Sequence, residues 1–380
     1  MKWQLNSLIT VCNIEMGQAP PGKSYNEIGE GVPLIAGAGD FDGNIPNVKK
    51  FTTSPSKIST PGDIILGIRA SIGEKVWSDR AYCLGRGVVG LRPKSELHPQ
   101  YLWHWLDSAK HILLSNARGA TFLQVNRKDI ESLEIPLPPL AEQKRIAEIL
   151  DAADALRAKR RESLAQLDNL LQSTFLDMFG DPVTNPKGWE VIQFQKIGKS
   201  RLGKMLDKGK QKGDCLFPYL ANFNVQWFKI ELKELRYMDF TEADRKEFEL
   251  QKGDLLICEG GEVGRAAIWQ DEHNSIYFQK ALHRVRLYPD FAIPEYVLYY
   301  MWFMASNGGF KDFINSATIA HLTGVSLKIL PFPCAPISLQ RRFASIVESV
   351  EKQKEKVGAH LVELDALFAS LQSRAFNGEL

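Results

Sequence analysis

The chain repeats itself. Its opening Lys2-Trp3-Gln4-Leu5 returns as Gly188-Trp189-Glu190-Val191, and Met16-Gly17-Gln18 returns near Leu202-Gly203-Lys204. Val32-Pro33-Leu34-Ile35-Ala36 pairs with Phe217-Pro218-Tyr219-Leu220-Ala221. Gly62-Asp63-Ile64-Ile65 pairs with Gly253-Asp254-Leu255-Leu256, and an apolar-Gly pair follows each, Ile72-Gly73 and Val263-Gly264. Pro99-Gln100-Tyr101-Leu102 matches Pro294-Glu295-Tyr296-Val297, and PLPPLAEQKRIAEIL from Pro136 matches PFPCAPISLQRRFASIV from Pro331. Chance likeness between strand and helix patterns would not stay collinear over half a chain. A tandem duplication predicts two copies of one folding unit, and two such copies can pack with approximate two-fold symmetry.

Length and charge narrow what those copies can be. A chain of 380 residues that is 44% hydrophobic can bury two cores. Lys+Arg total 47 against Asp+Glu 45, so the field of the whole molecule does not hold a polyanion, and any basic surface must be local. The five cysteines form no C-x-x-C pair, which argues against a zinc site or a disulfide framework and fits a reducing cytoplasm. The N-terminal stretch is interrupted by polar residues too early for a signal peptide, and no apolar run reaches the length of a membrane span.

Within each half, short apolar runs bounded by Gly, Pro and Asp read as strands: 63–68 and 87–91, then 254–258 and 283–287. A helix follows in each half, opened by Pro99 or Pro294 at the first turn. Its aromatic stripe, Tyr101 to Trp105 or Tyr296 to Trp302, has the spacing of core packing rather than of a stacking platform for bases. Then come two stretches without Pro and almost without Gly, 141–179 and 338–376, each read as one long helix. In the second, Phe343, Val350, Val357, Leu364 and Leu371 recur every seventh residue. In the first, Ile146, Ile149, Leu150, Ala153, Leu156, Leu164, Leu167, Leu170 and Leu171 form a similar seam, broken by Arg160. This imperfect heptad pattern predicts an antiparallel coiled coil, and a helix of about 39 residues would be roughly 58 Å long. The expected fold is mixed α/β (α+β): two similar globular domains, at 1–138 and 181–336, with long helices at 139–180 and 337–380.

A globular module, the stop IPLPPLAEQKRIAEIL, a long helix with the core Leu167 to Leu171, a Gly-Asp-Pro and a Gly-Trp-Glu restart together resemble the DNA specificity subunit of type I restriction-modification systems. The resemblance covers essentially the whole chain. It implies two target recognition domains, each reading one half of a split site on double-stranded DNA, and two helices that set the gap. It also implies docking to methyltransferase subunits, two of them, and to restriction/translocase subunits. S-adenosylmethionine, ATP and Mg would belong to those partners, with no cofactor bound by this chain. The second stop, PFPCAPISLQRR, departs from the usual pattern, which leaves the detail of its docking surface open.

The residues also speak against catalysis in this chain. No Asn-Pro-Pro-aromatic loop is present, and Gly37 to Gly43 lacks G-x-G-x-x-G spacing. Asp40, Asp42 and Gly43 suggest a calcium loop, but Ala38 and Lys49 stand at its first and last ligand positions, so a turn is expected. Glu231-Leu232-Lys233 with Asp214 matches the E-x-K of nucleases only as charged surface strands often do. The competing readings are a stand-alone modification or restriction enzyme and a coiled-coil scaffold with two protein-binding heads.

Candidate DNA contacts lie at equivalent positions of the two halves, since phosphate is met by Lys and Arg and base edges by Arg, Lys, Asn and Gln. The segment Arg118 to Gln124, with Thr121, lies against Ser316 to His321, with Thr318, so that Gln124 falls on His321. Asn126, Arg127 and Lys128 follow in the first half. Arg69 opens one apolar-Gly turn, and Arg265, just past the other, is expected to reach phosphate. Lys199, Arg201, Lys204, Lys208, Lys210 and Lys212 form a basic stretch that reads equally as a DNA face or a solvated loop. The runs Lys144-Arg145 and Arg157 to Arg161 read first as the solvated face of the first long helix and second as a surface that meets partner subunits, and His104 with His111 as structural.

Overall fold

The computed structural model describes residues 3–119, 123–207, 209, 213–271, 275–314 and 320–380. The chain divides into two compact units, one of residues 1–161 with 359–380, the other of residues 162–358. Each unit therefore takes half of each long helix along with one globular module. The helices run Leu140–Phe179 and Ile337–Asn377.

Both modules are built on the same antiparallel sheet. In the first unit its strand order is Cys12–Met16, Val88–Pro93, Ile64–Gly67, Lys75–Trp77. In the second it is Gly198–Leu202, Leu282–Leu287, Leu255–Cys258, Ala266–Ile268. The apolar strands Ile64–Gly67 and Leu255–Cys258 are buried at every position, as a strand covered on both faces requires. A second small sheet carries a parallel pair in each unit, Leu34-Ile35 beside Cys83-Leu84 and Tyr219-Leu220 beside Tyr277-Phe278.

The helices Pro99–Asn116 and Pro294–Ser306 lie where the patterning places them, each with Pro in its first turn. Their aromatic stripes are core. Tyr101, Trp103, Trp105, Tyr296, Tyr299 and Tyr300 are buried, and the hydroxyls of Tyr101 and Tyr296 donate to the carbonyls of Pro136 and Pro333 at 2.8 and 2.7 Å. Of the two histidines expected to be structural, His104 is buried with Nε2 2.7 Å from Asp151, whereas His111 is exposed, one turn from the helix end.

Polar groups that periodicity cannot reveal tie each module to its long helix. Gln143 and Gln340 are fully buried. The side-chain oxygen of each accepts the N–H of the residue ahead of the proline-led helix, His98 at 2.8 Å or Ile293 at 3.0 Å. Their amides donate to the carbonyls of Glu96 and Pro138, or of Phe291 and Ala335. Arg92 and Arg286 each clamp a buried carboxylate, Asp63 or Asp254, through two hydrogen bonds.

Within each unit the two helix halves pair antiparallel. In the first unit Arg157 meets Asp365 at 2.6 Å and Arg145 reaches the Leu380 carbonyl at 3.0 Å. In the second, Lys354 meets Asp168 at 2.8 Å, and the rings of Phe179 and Phe343 lie 5.5 Å apart. By the repeat, Arg157 is the counterpart of Lys354 and Asp168 of Asp365, so one ion pair occurs twice. Arg157 also stacks its guanidinium 4.3 Å from the Phe368 ring. This corrects the expectation that the whole 157–161 run is solvated: the apolar stem of Arg157 fills a gap in the seam while its head finds a carboxylate. Leu156, Leu170 and Leu367 are in turn about half exposed, because the seam drifts off a strict heptad.

One difference between the units has a measurable consequence. The first unit holds Gln100, 3.5 Å from Asp151, where the second holds Glu295. Burial raises the Glu295 carboxyl above its ordinary value, and Glu348 adds repulsion. A carboxyl with a raised folded-state pKa binds more protons folded than unfolded, so it costs stability as pH rises through that window. Glu295→Gln is expected to raise the melting temperature of the second unit at pH 7.5, with the gain vanishing near pH 4. Thermal melts at the two pH values check it, and a loss at pH 7.5 would contradict the burial argument.

Candidate nucleic-acid interface

In each unit three loops meet at one end of the antiparallel sheet, joined through a single residue. In the first unit that residue is Ile68, which follows strand Ile64–Gly67. Its N–H donates to the Gly87 carbonyl at 2.9 Å, and its own carbonyl accepts the N–H of Val125 at 3.0 Å. In the second unit Glu259 does the same, donating to Ala281 at 2.9 Å and accepting from Leu322 at 2.7 Å. The turn that carries Gly87 or Ala281 and the segment after 123 or 320 are thus hydrogen-bonded to the same residue, one through its N–H and the other through its carbonyl. The chain then reverses sharply: Ala70 has φ 56°, and its counterpart Gly261 has φ 80°.

Gln124 and His321 therefore stand at one backbone position, each just ahead of the residue that bonds the shared carbonyl. Gln124 exchanges both backbone hydrogen bonds with Arg118, at 3.0 and 2.9 Å, and its backbone bridges to that of the half-buried Arg69. The exposed His321 ring lies over Gly260, the counterpart of Arg69: a Cβ on Gly260 would sit 2.8 Å from Nδ1. Immediately after, Asn126 and Thr323 begin the helices Arg127–Glu131 and Gly324–Ile329 by accepting the N–H of Asp129 and of Ser326. Behind the second of these loops His283 is buried, with Nε2 3.0 Å from the Leu322 carbonyl, and burial lowers its pKa.

The structure thus brings the half-buried Arg69 and the exposed Arg118 to the exposed Gln124 in the first unit, leaves Lys128 exposed on the helix that follows, and sets the exposed His321 at the matching position of the second. The side chain of Arg118 is 77% exposed and lies 3.7 Å from Asp129. Other candidates are engaged by partners within the fold. Asn126 spends its side-chain oxygen on the capping box with Asp129, and Arg127 pairs with Glu131 at 2.6 Å. Lys204 is mostly buried, donating to the Asp239 carbonyl and to Asp244, both at 2.6 Å, over the Phe240 ring. Burial opposes ionisation of Asp244, yet hydrogen bonds from Lys204 and Thr241 hold its carboxyl below its usual value. Arg265 donates to the Asn222 carbonyl at 2.8 Å and pairs with Glu262, leaving 14% of its side chain exposed. The expectation that Arg265 reaches phosphate is corrected accordingly. A turn-closing residue beside a carbonyl-rich loop satisfies its neighbours first. Thr121, Thr318, Lys208, Lys210 and Lys212 lie outside the described residues.

Asp40 accepts the Ala36 N–H at 2.8 Å inside a turn, and Glu231 pairs with Lys229 on the surface. Among the described residues no three His, Cys, Asp or Glu side chains gather as metal ligands, and no helix is long and apolar enough to cross a membrane.

Two units with one backbone frame and unlike rims define a tandem-repeat protein built to present two different surfaces. The sequence matches the type I restriction modification DNA specificity domain twice, over residues 1–167 and 186–361, and the chain belongs to that family. It is 37% identical over 156 residues to a putative type I restriction enzyme MjaX specificity subunit of Methanocaldococcus jannaschii, a match spanning 41% of this chain and 37% of that relative. It is 22% identical to the EcoBI specificity subunit of Escherichia coli over all of this chain and 86% of the relative. The fold is similar to that of the type I S subunit from M. genitalium, with TM-score 0.56 and 15% identity over 99% of this chain and 96% of the other. It is also similar to a chain from a structural study of assembly and conformational transition in the type I R-M system, with TM-score 0.62 and 19% identity over 100% and 98%.

Proposed function

We propose that this chain is the sequence-reading subunit of a type I restriction-modification complex, each unit recognising one half of a split site on double-stranded DNA. The chain catalyses nothing itself. It delivers methyltransferase subunits, two of them, and restriction/translocase subunits to the site, and S-adenosylmethionine, ATP and Mg serve those partners in the cytoplasm. The observation that carries this reading is that equivalent positions hold unlike side chains, the exposed Gln124 against the exposed His321 and, beside them, the half-buried Arg69 against Gly260. Bases are told apart by the donors and acceptors aimed at their edges, so unlike residues in one frame select unlike half-sites. The long helices set the gap between the halves.

The test assembles the full chain with type I methyltransferase subunits and maps methylated bases on random-sequence DNA. A single split motif is expected, with two different halves and a fixed gap of unspecified bases. Methylation or cleavage by this chain alone, or modification of an unsplit motif, would overturn the reading.

A further inference from the structure

The turn that flanks Ile68 or Glu259 carries a basic residue at the same corner in both units. In the first it is Gly85-Arg86-Gly87-Val88, closed by the Val88 N–H on the Gly85 carbonyl at 3.2 Å. In the second it is Gln279-Lys280-Ala281-Leu282, closed by Leu282 on Gln279 at 3.0 Å. Each turn is tied on several sides. The N–H of Gly85 or Gln279 reaches Ile35 or Leu220, at 2.8 or 3.1 Å. The N–H of Gly17 or Gly203 reaches Val88 or Leu282, both at 3.0 Å. Glycine is required at 17 and 203: a Cβ there would lie 2.0 Å from the Gly85 carbonyl oxygen or 2.3 Å from that of Gln279. So tight a frame holds the turn beside the loop of Gln124 or His321, to which Ile68 or Glu259 hydrogen-bonds it. Arg86 and Lys280 themselves are exposed.

Around this corner the side chains differ between units, while the positive charge persists. A residue that reads a base must change when the half-site changes. A residue that meets phosphate need not, because every nucleotide presents the same phosphate. We propose that Arg86 and Lys280 each bind a DNA phosphodiester and thereby set the register at which Gln124 and His321 meet the bases. The proposal rests on the DNA-reading function above and adds two contacts of a different kind, sequence-independent ones.

The experiment uses the full chain assembled with methyltransferase subunits, comparing wild type, Arg86→Ala, Lys280→Ala and the double variant. Binding is followed by fluorescence anisotropy over a series of salt concentrations, on a duplex bearing the methylated motif and on a random duplex. Each substitution is expected to lower the slope of log affinity against log salt by roughly 0.9, and the double variant by about twice that. Both duplexes should weaken alike, the methylated motif should stay the same, and Arg86→Lys should restore the slope. A double variant with the wild-type slope, or one whose preference between duplexes changes, overturns the proposal while leaving a split methylated motif intact. A wild-type complex that binds neither duplex overturns the DNA-reading function as well.

Discussion

Phe175→Ala should destabilise the second unit by about 3–5 kcal/mol, the range for deleting a large aromatic side chain from a packed core. Phe175 is fully buried on the first long helix, where its ring meets Tyr296, Tyr299, Phe303, Phe343 and Phe179 at centroid distances of 5.0 to 5.9 Å. Those rings come from both long helices and from helix Pro294–Ser306, so one truncation leaves a cavity where three elements meet. None of them can close it without giving up its own contacts. Leu170→Ala, five residues earlier on the same helix, is the control. Leu170 is 48% exposed, and its truncation should cost less than about 0.5 kcal/mol. Chemical denaturation of the full chain measures both, and equal losses would mean that the seam is not where the structure puts it.

A four-residue insertion in both long helices should move the target rather than abolish recognition. The places for it are between Arg161 and Glu162 and between Gly358 and Ala359, where the two compact units divide, so each unit keeps its own helix pairing, Arg157 with Asp365 and Lys354 with Asp168. Four helical residues add about 6 Å, and DNA rises about 3.4 Å per base pair, so the preferred gap should lengthen by roughly one to two base pairs. Methylation of the original site should be lost while both half-site sequences stay the same. Mapping the methylated motif reads both at once. Altered half-sites with an unchanged gap would remove the helices from their proposed role.

Much of the architecture was legible because it depends on repetition and period. The collinear duplication implied two like modules, and the structure shows the same strand order in both. The Pro-free stretches implied helices over 141–179 and 338–376, and they run Leu140–Phe179 and Ile337–Asn377. The aromatic stripes at helical spacing are core. Candidate contacts fared unevenly. Charged residues beside a glycine turn look alike in sequence whether they point to solvent or back into the fold. Arg118 points out, while Lys204 closes on Asp239 and Asp244, 35 and 40 residues away, and Arg265 on the Asn222 carbonyl, 43 residues away. Arg157 was read as solvated because its partner, Asp365, belongs to the other long helix. Arg86 and Lys280 carry little signal in the sequence, because neither stands in a charge run, although the glycines at 17 and 203 that pin their turns belong to the repeat.

The duplication on which the sequence reading began holds the information about kind: which segments are strands, which are helices, and that everything occurs twice. Those properties follow from local spacing and from likeness between halves, both of which a linear text preserves. Orientation is different. Whether Lys204 serves a phosphate or Asp244, whether Gln143 is solvated or buried across three backbone groups, and whether Gln124 and His321 share one position in space all depend on non-local hydrogen bonds. A buried polar group must find a partner wherever the fold supplies one, and that partner is chosen by proximity in three dimensions rather than along the chain.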